Sequence, residues 1–445
     1  MELFVVTPET FGDWFASRSS SHQNQLTARQ FNGAASTGAW MFGADGSLES
    51  AVLGVADLLD PFAYSHALTL LPEGSEWTLA SSLSDAETQA MVLGWKLGEY
   101  RFLKYKPNVK WNPAKLNVEA SAATQQAYDA TALVRDLIHT PTQDMGPEQL
   151  HEVIEALAAR EGASFNAFVG DELLTENFPA IHAVGRASHR APRLLELNWS
   201  GPNASKRLVI VGKGVCFDTG GLDLKLPEGM RNMKKDMGGS AHAIGLAQWI
   251  MQAKLPVQLT LLVGAVENAV GPDAFRPGEV INTRAGFTVE IDNTDAEGRV
   301  VLCDALTYAC EKSPDLIMDF ATLTGAARIA LGPDLPALFT NEDSLAASWS
   351  AAGYETRDPI WRMPLHQAYS RYLPSGIADF ANAGPSKMAG SITAAIYLQR
   401  FVAPGIPWTH LDVYSWNDAD RPGRPAGGEA QALRSAFRLV EQRYS

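Results

Sequence analysis

The chain has 445 residues, 46% apolar and 19% charged, which excludes wholesale disorder and leaves room for about two or three domains. Thirty-six Lys plus Arg stand against 50 Asp plus Glu, a formal net charge of -14. That balance repels nucleic-acid phosphates and anionic lipid, and no basic run exceeds the pair Lys234–Lys235, so nucleic acid is not an expected partner.

The opening Met1–Pro8 lacks the basic n-region and long apolar stretch of a signal peptide. The longest strongly apolar run, near Leu259–Val266, is about half of the roughly 20 residues that span a bilayer. Cys216, Cys303 and Cys310 form no CxxC pair and read as small thiols in a reducing compartment. The expectation is a soluble cytoplasmic protein with no membrane partner.

Residues 39–55 read as strand, turn at Ala44-Asp45-Gly46, strand, and residues 86–105 as a helix. The Pro- and Asn-punctuated segment 106–113 marks a boundary, so an N-terminal α/β domain is expected over 1–118 and a catalytic domain over 119–445. An Ala-rich connecting helix follows at about 120–138, and Gly146-Pro147-Glu148 opens another to about Arg160. Apolar runs at 194–198, 208–211, 257–266, 288–291 and 316–321 read as strands, and 240–253, 299–311 and 392–401 as helices. The alternation predicts an α/β fold, its mixed and mainly parallel sheet carrying helices on both faces.

Ligands in such sheets sit beyond the carboxyl ends of the strands, so polar residues following the apolar runs carry information. After Leu208–Val211 comes Gly212-Lys213-Gly214-Val215-Cys216-Phe217-Asp218-Thr219-Gly220-Gly221. Next, Leu222-Asp223-Leu224-Lys225-Leu226 alternates with period two, which predicts Asp223 and Lys225 on one face and three leucines on the other. Met233-Lys234-Lys235-Asp236-Met237-Gly238-Gly239 leads into a helix. Asp292-Asn293-Thr294-Asp295-Ala296-Glu297-Gly298-Arg299 follows the next strand, and Thr322-Leu323-Thr324-Gly325 the one after. Any single carboxylate here could be a helix cap or a first-turn acid. Four carboxylates and two lysines converging at one sheet would repel unless cations balanced them. With only nine histidines and no HExxH, a carboxylate-rich site for two hard or borderline divalent ions is the economical reading.

Residues 293–299, with Lys213, Asp218-Thr219-Gly220-Gly221 and Asp236-Met237-Gly238-Gly239 upstream, resemble the leucyl aminopeptidase (cytosol aminopeptidase, M17) family. The resemblance runs from about Thr140 to the C-terminus. It implies that Lys213, Asp218, Asp236 and Glu297 surround one metal ion, and Asp218, Asp295 and Glu297 a second. Zinc, manganese, magnesium and cobalt all remain open as the metal. Lys213 could instead be a cation that neutralises the carboxylates, because only a neutral amine donates to a metal. The same resemblance implies Lys225 as oxyanion stabiliser, Arg299 as holder of a bicarbonate that shuttles protons, and cleavage of the N-terminal residue from peptides with a free α-amine. It also implies a homo-hexamer. Met233, Asn293, Thr322, Leu323 and Gly325 would border the substrate. Tyr414 and Asn417 depart from the family's small or apolar wall, which predicts a preference moved away from leucine. Arg299 could alternatively pair with Asp292 or Asp295, and His242 and His410 read as structural. Two other functions stay open: a different two-metal hydrolase such as a phosphoesterase, and a non-catalytic scaffold or DNA-binding relative.

Overall fold

The computed structural model describes all 445 residues, which fall into two units: Met1–Ala132 with Asn417–Ala426, and Leu133–Trp416 with Gly427–Ser445. The first unit contains β1 (Glu2–Val6), α1 (Phe11–Ala16), α2 (Ser20–Ala28), β2 (Thr37–Phe42), β3 (Leu48–Gly54), α3 (Ala67–Leu70), β4 (Glu76–Leu79), α4 (Asp85–Glu99) and β5 (Lys115–Leu116). These strands lie in the order β2-β3-β1-β4-β5, and β2 and β3 are the antiparallel hairpin expected from the turn at Gly46. Helix α4 opens on a capping box, Ser84 Oγ accepting from Glu87 N–H while Glu87 accepts from Ser84 N–H. It stops at Glu99 rather than reaching Tyr105: Arg101 donates to the carbonyl of Gly98 and Trp111 Nε1 to that of Glu99, so side chains replace the next turn.

Helix α5 (Ala122–His139) carries the chain into the second unit. There follow α6 (Pro147–Glu161), β6 (Ser164–Val169), α7 (Glu172–Thr175), α8 (Pro179–Gly185), β7 (Arg193–Ser200), β8 (Lys206–Asp218), α9 (Pro227–Met230), α10 (Gly238–Gln252) and β9 (Val257–Asn268). Beyond them come β10 (Val280–Asn282), β11 (Thr288–Glu290), α11 (Glu297–Glu311), β12 (Leu316–Ala321), α12 (Gly325–Leu331), β13 (Ala337–Thr340), α13 (Asp343–Thr356) and β14 (Trp361–Arg362). The chain closes with β15 (Phe380–Ala381), α14 (Gly390–Gln399), β16 (Trp408–Asp412), β17 (Trp416–Asn417), β18 (Gly427–Gly428) and α15 (Leu433–Tyr444).

The main sheet runs β14-β13-β16-β12-β8-β9-β7-β6. Its centre, β16-β12-β8-β9, is parallel, and β13, β7 and β6 bring antiparallel pairings toward the edges. Alternation along β8 sends Val209 and Val211 into a core shared with α8, α11 and α14. Gly212 faces α10, so closely that a Cβ there would lie 2.6 Å from Ser240 Cα. The run expected at 288–291 leaves this sheet: β11 pairs with β10 and β15 in a small three-stranded sheet of its own. No helix is long and apolar enough to cross a membrane.

Candidate metal centre

Strand β8 does not end at Val211. It continues to Asp218, which places Lys213 inside the strand, level with Gly264 of β9, and Asp218 at the carboxyl end opposite Asn268. They are five positions apart, so strict alternation would put them on opposite faces. A register shift between Val215 and Phe217 adds one residue and restores both to the same face. Gly220 and Gly221, at φ +87° and +66°, then turn the chain back, and Lys225 N–H closes the turn on the carbonyl of Thr219.

The period-two pattern of Leu222–Leu226 does not become a strand. Leu222, Leu224 and Leu226 are exposed, because the glycine turn carries this stretch away from the sheet before it can pair. Asp223 serves the loop instead, its Oδ2 accepting from the N–H and Oγ1 of Thr294 and so tying it to the segment bearing Asp295 and Glu297.

Six side chains meet at this end of the sheet. Lys213 Nζ lies 2.6 Å from Asp236 Oδ2 and 3.0 Å from Glu297 Oε1, and it donates to the carbonyl of Thr322. Lys225 Nζ lies 2.7 Å from Asp218 Oδ2 and also contacts Asp295 Oδ1. Asp236 comes from the 3-10 turn Met233–Met237 before α10, and Glu297 opens α11. Gly298 lets the lysine lie across that helix, since a Cβ there would sit 2.5 Å from Lys213 Cε. Asn268 Nδ2 and Gly220 N–H both donate to Asp218 Oδ1 at 2.8 Å, and Thr322 Oγ1 donates to Asp236 Oδ1.

Lys213, Asp218, Asp236 and Glu297 are all buried. Burial first, then the charge of Asp218, drives the Glu297 carboxyl well above its ordinary range. The same two causes push Asp295 up to about 6. For Lys213 and Lys225 burial works against the charged form, but the surrounding carboxylates outweigh it and hold both as ammonium ions. Oxygen atoms of Asp218, Asp236 and Glu297 fall within 4.8 Å of one another, and Glu297 Oε2 is buried without any hydrogen-bond partner. A cluster of hard oxygen donors with one atom left bare fits a divalent cation.

A match to the catalytic-domain model of the cytosol aminopeptidase family spans residues 132–436, and one to the M17 aminopeptidase N-terminal domain spans 1–118. The chain belongs to the cytosol aminopeptidase family. It is a leucyl-aminopeptidase-like hydrolase, and metal-dependent as that family is. It is 43% identical to a probable cytosol aminopeptidase of Syntrophotalea carbinolica, over 84% of this chain and 78% of the relative. The counterpart in Leifsonia xyli is 36% identical over 94% and 90%. The crystal structure of the Coxiella burnetii cytosol aminopeptidase superposes with a TM-score of 0.95 at 46% identity, over 100% of this chain and 97% of that one. The bottromycin maturation enzyme BotP in complex with Mn does so with a TM-score of 0.90 at 30% identity, over 100% and 99%.

In this aminopeptidase the cluster floors a cleft of about 540 Å³ whose walls include Met233, Thr322, Leu323, Gly325 and Tyr414. Three expected residues are not on those walls. Asn293 instead shapes the loop: its side chain accepts from Asp295 N–H, and its carbonyl accepts from Asn382. Asn417 belongs to the first unit and is engaged there, donating to the carbonyl of Pro425 and accepting from Arg421. Tyr414 alone therefore remains of the polar wall read from residues 414–417. Arg299, in α11's first turn, is buried and pairs with neither Asp292 nor Asp295; its Nη1 donates to the carbonyl of Asn382.

Both histidines are structural. His242 bridges the carbonyl of Gly238 and the N–H of Gln431, and His410 pairs with Asp319 at 2.5 Å. Lys235, Arg328 and Asp412 line the cleft and were not singled out in the sequence. Nor was Asn268, although it stands at the end of the 257–266 run, where the strand-end rule would have found it.

Proposed function

We propose that the protein removes the N-terminal residue from peptides, with Lys213, Asp218, Asp236, Asp295 and Glu297 holding two divalent ions. What carries this reading is the buried set of carboxylates, clamped by two lysines and keeping one oxygen bare at Glu297 Oε2. When bound, such ions supply Lewis acidity toward a carbonyl and activate water near neutral pH. The BotP complex supports manganese among the candidate metals.

Lys213 would serve as a ligand beside Asp236 and Glu297 only as the neutral amine, its proton having passed to solvent. Lys225, partly exposed to the cleft, donates to the substrate oxygen that gains charge during attack. Asn268 and Thr322 fix which oxygens of Asp218 and Asp236 remain free. Arg299 keeps a buried Nε with no acceptor, a donor suited to a small anion such as bicarbonate, which would serve proton transfer. Met233, Thr322, Leu323 and Gly325, with Tyr414, border the first side chain of the substrate. Assembly as a homo-hexamer and a cytoplasmic setting complete the proposal; light scattering of the purified chain checks the first.

The decisive experiment is hydrolysis of aminoacyl anilides and their N-acetylated forms by metal-reconstituted protein, with metal counted per chain. Turnover of free-amine substrates alone, with about two ions bound, is the expected result. Two ions without anilide turnover, but with release of nitrophenol from nitrophenyl phosphate, would replace it with phosphoester hydrolysis.

A further inference from the structure

The cleft holds four cations, and only two are matched by carboxylates. Lys213 and Lys225 each sit between two acids. Lys235 and Arg328 do not. Lys235 is 7% exposed, yet its Nζ has neither a hydrogen-bond acceptor nor a carboxylate in ion-pair contact; Asp236 and Asp412 act on it only through space, and it lies 4.9 Å from the Tyr414 ring centroid. The Arg328 guanidinium lies 5.0 Å from the same ring and is likewise unpaired. All three side chains line the cleft beside Met233 and Thr322.

No acid lining the cleft makes a direct ion pair with these two cations. Asp412 is consumed by the turn that starts α12, accepting from Leu323 N–H, Thr324 N–H and Thr324 Oγ1. Glu228, exposed and also lining the cleft, pairs with neither. A nearly buried amine with no carboxylate in contact is costly, and a cleft wall that keeps one near a guanidinium is complementary to an anion arriving from solution. The tyrosine ring supplies a flat, polarisable surface against which both cations rest without being neutralised.

We propose that Lys235 and Arg328, ranged along Tyr414, bind a carboxylate of the peptide substrate, so that the enzyme favours short peptides with an acidic group close to the scissile bond. This rests on the aminopeptidase reading above. Two sources present that chemistry: the side chain of an N-terminal Asp or Glu, and the C-terminal carboxylate of a dipeptide. The Arg328 guanidinium can take either bidentately, and Lys235 adds a point charge beside it.

Two matched pairs separate the sources: Glu-p-nitroanilide against Gln-p-nitroanilide, and Leu-Gly against Leu-Gly-amide. Leu-p-nitroanilide serves as the neutral reference. In metal-reconstituted wild-type protein the acid is expected to exceed its neutral partner in kcat/KM by about tenfold or more in one pair, and that pair identifies the source. Lys235→Gln and Arg328→Gln should each bring the ratio toward one, chiefly through KM. Taking the ratio cancels any general loss of activity, and Arg328, being exposed, can be changed without threatening the fold. Ratios near one in both pairs for the wild type overturn the inference. So do ratios that neither substitution moves, including the case where all substrates fall together, as a purely structural role would give. Absence of turnover on Leu-p-nitroanilide itself would instead defeat the aminopeptidase reading, and this inference with it.

Discussion

Replacing Lys225 by methionine should move metal affinity and turnover in opposite directions. This ammonium occupies carboxylates proposed to hold the ions, lying 2.7 Å from Asp218 Oδ2 and touching Asp295. Coulomb's relation at 2.7 Å with an effective dielectric near 20 gives about 6 kcal/mol for the first pair. Most of that is recovered when the displaced ammonium is rehydrated, and its side chain is already 16% exposed at rest. The net competition is then about 1–2 kcal/mol, so Lys225→Met should bind manganese about tenfold more tightly. Turnover of Leu-p-nitroanilide should fall about 10²–10³-fold, the usual loss on removing a donor aimed at a developing oxyanion. Calorimetric titration with Mn²⁺ and steady-state kinetics on the same sample measure both. Weaker metal binding, or kcat within threefold of the wild type, would refute the assignment: the first would make Lys225 a structural partner of the carboxylates, the second a bystander.

Away from the cleft, Arg135 and Glu429 form a bidentate pair at 2.9 and 3.1 Å, both buried. Arg135→Met strands the carboxylate and should cost about 3–5 kcal/mol in urea unfolding of the metal-free protein, with most of it restored in Arg135→Met/Glu429→Leu; a loss under about 1 kcal/mol would show that water reaches the pair. His139 is held down to about 4, first by burial and then by Lys234 and Arg135, and a Cβ at Gly427 would lie 2.0 Å from its ring. The unfolded chain takes a proton near 6.5 where the native one does not, so stability is constant above that value and falls as pH drops toward 4. The full span is worth about 3 kcal/mol. His66 and His242, also lowered by burial, tilt the curve the same way. The contribution of His139 is therefore read as the difference between wild type and His139→Gln, and parallel curves would contradict it.

The elements were legible where burial follows a short period. The hairpin at β2–β3, helices α5, α6, α10 and α11 and the runs in β7, β9 and β12 lie close to where apolar spacing and glycine or proline punctuation put them. The same signal misled at Leu222–Leu226, whose alternation has no neighbouring strand to receive it. It also stopped β8 too early, since Gly212-Lys213-Gly214 reads as a break while the backbone goes on pairing with β9.

By itself, the order of residues determined the chemistry available: acids and lysines following apolar runs in a parallel α/β chain, and the motif strings that carry the family resemblance. Which of them touch was decided by the tertiary structure. Lys213 reaches the carbonyl of Thr322 across 109 residues, and Asp218 reaches Asn268 across 50. Such contacts depend on strand register and on one extra residue in β8, neither of which leaves a periodic trace. For the same reason Asn417 could not be placed, and Lys235 and Arg328 could not be seen as neighbours: a long-range pairing is fixed by packing across the sheet, whereas sequence period reports only which side of its own element a residue faces.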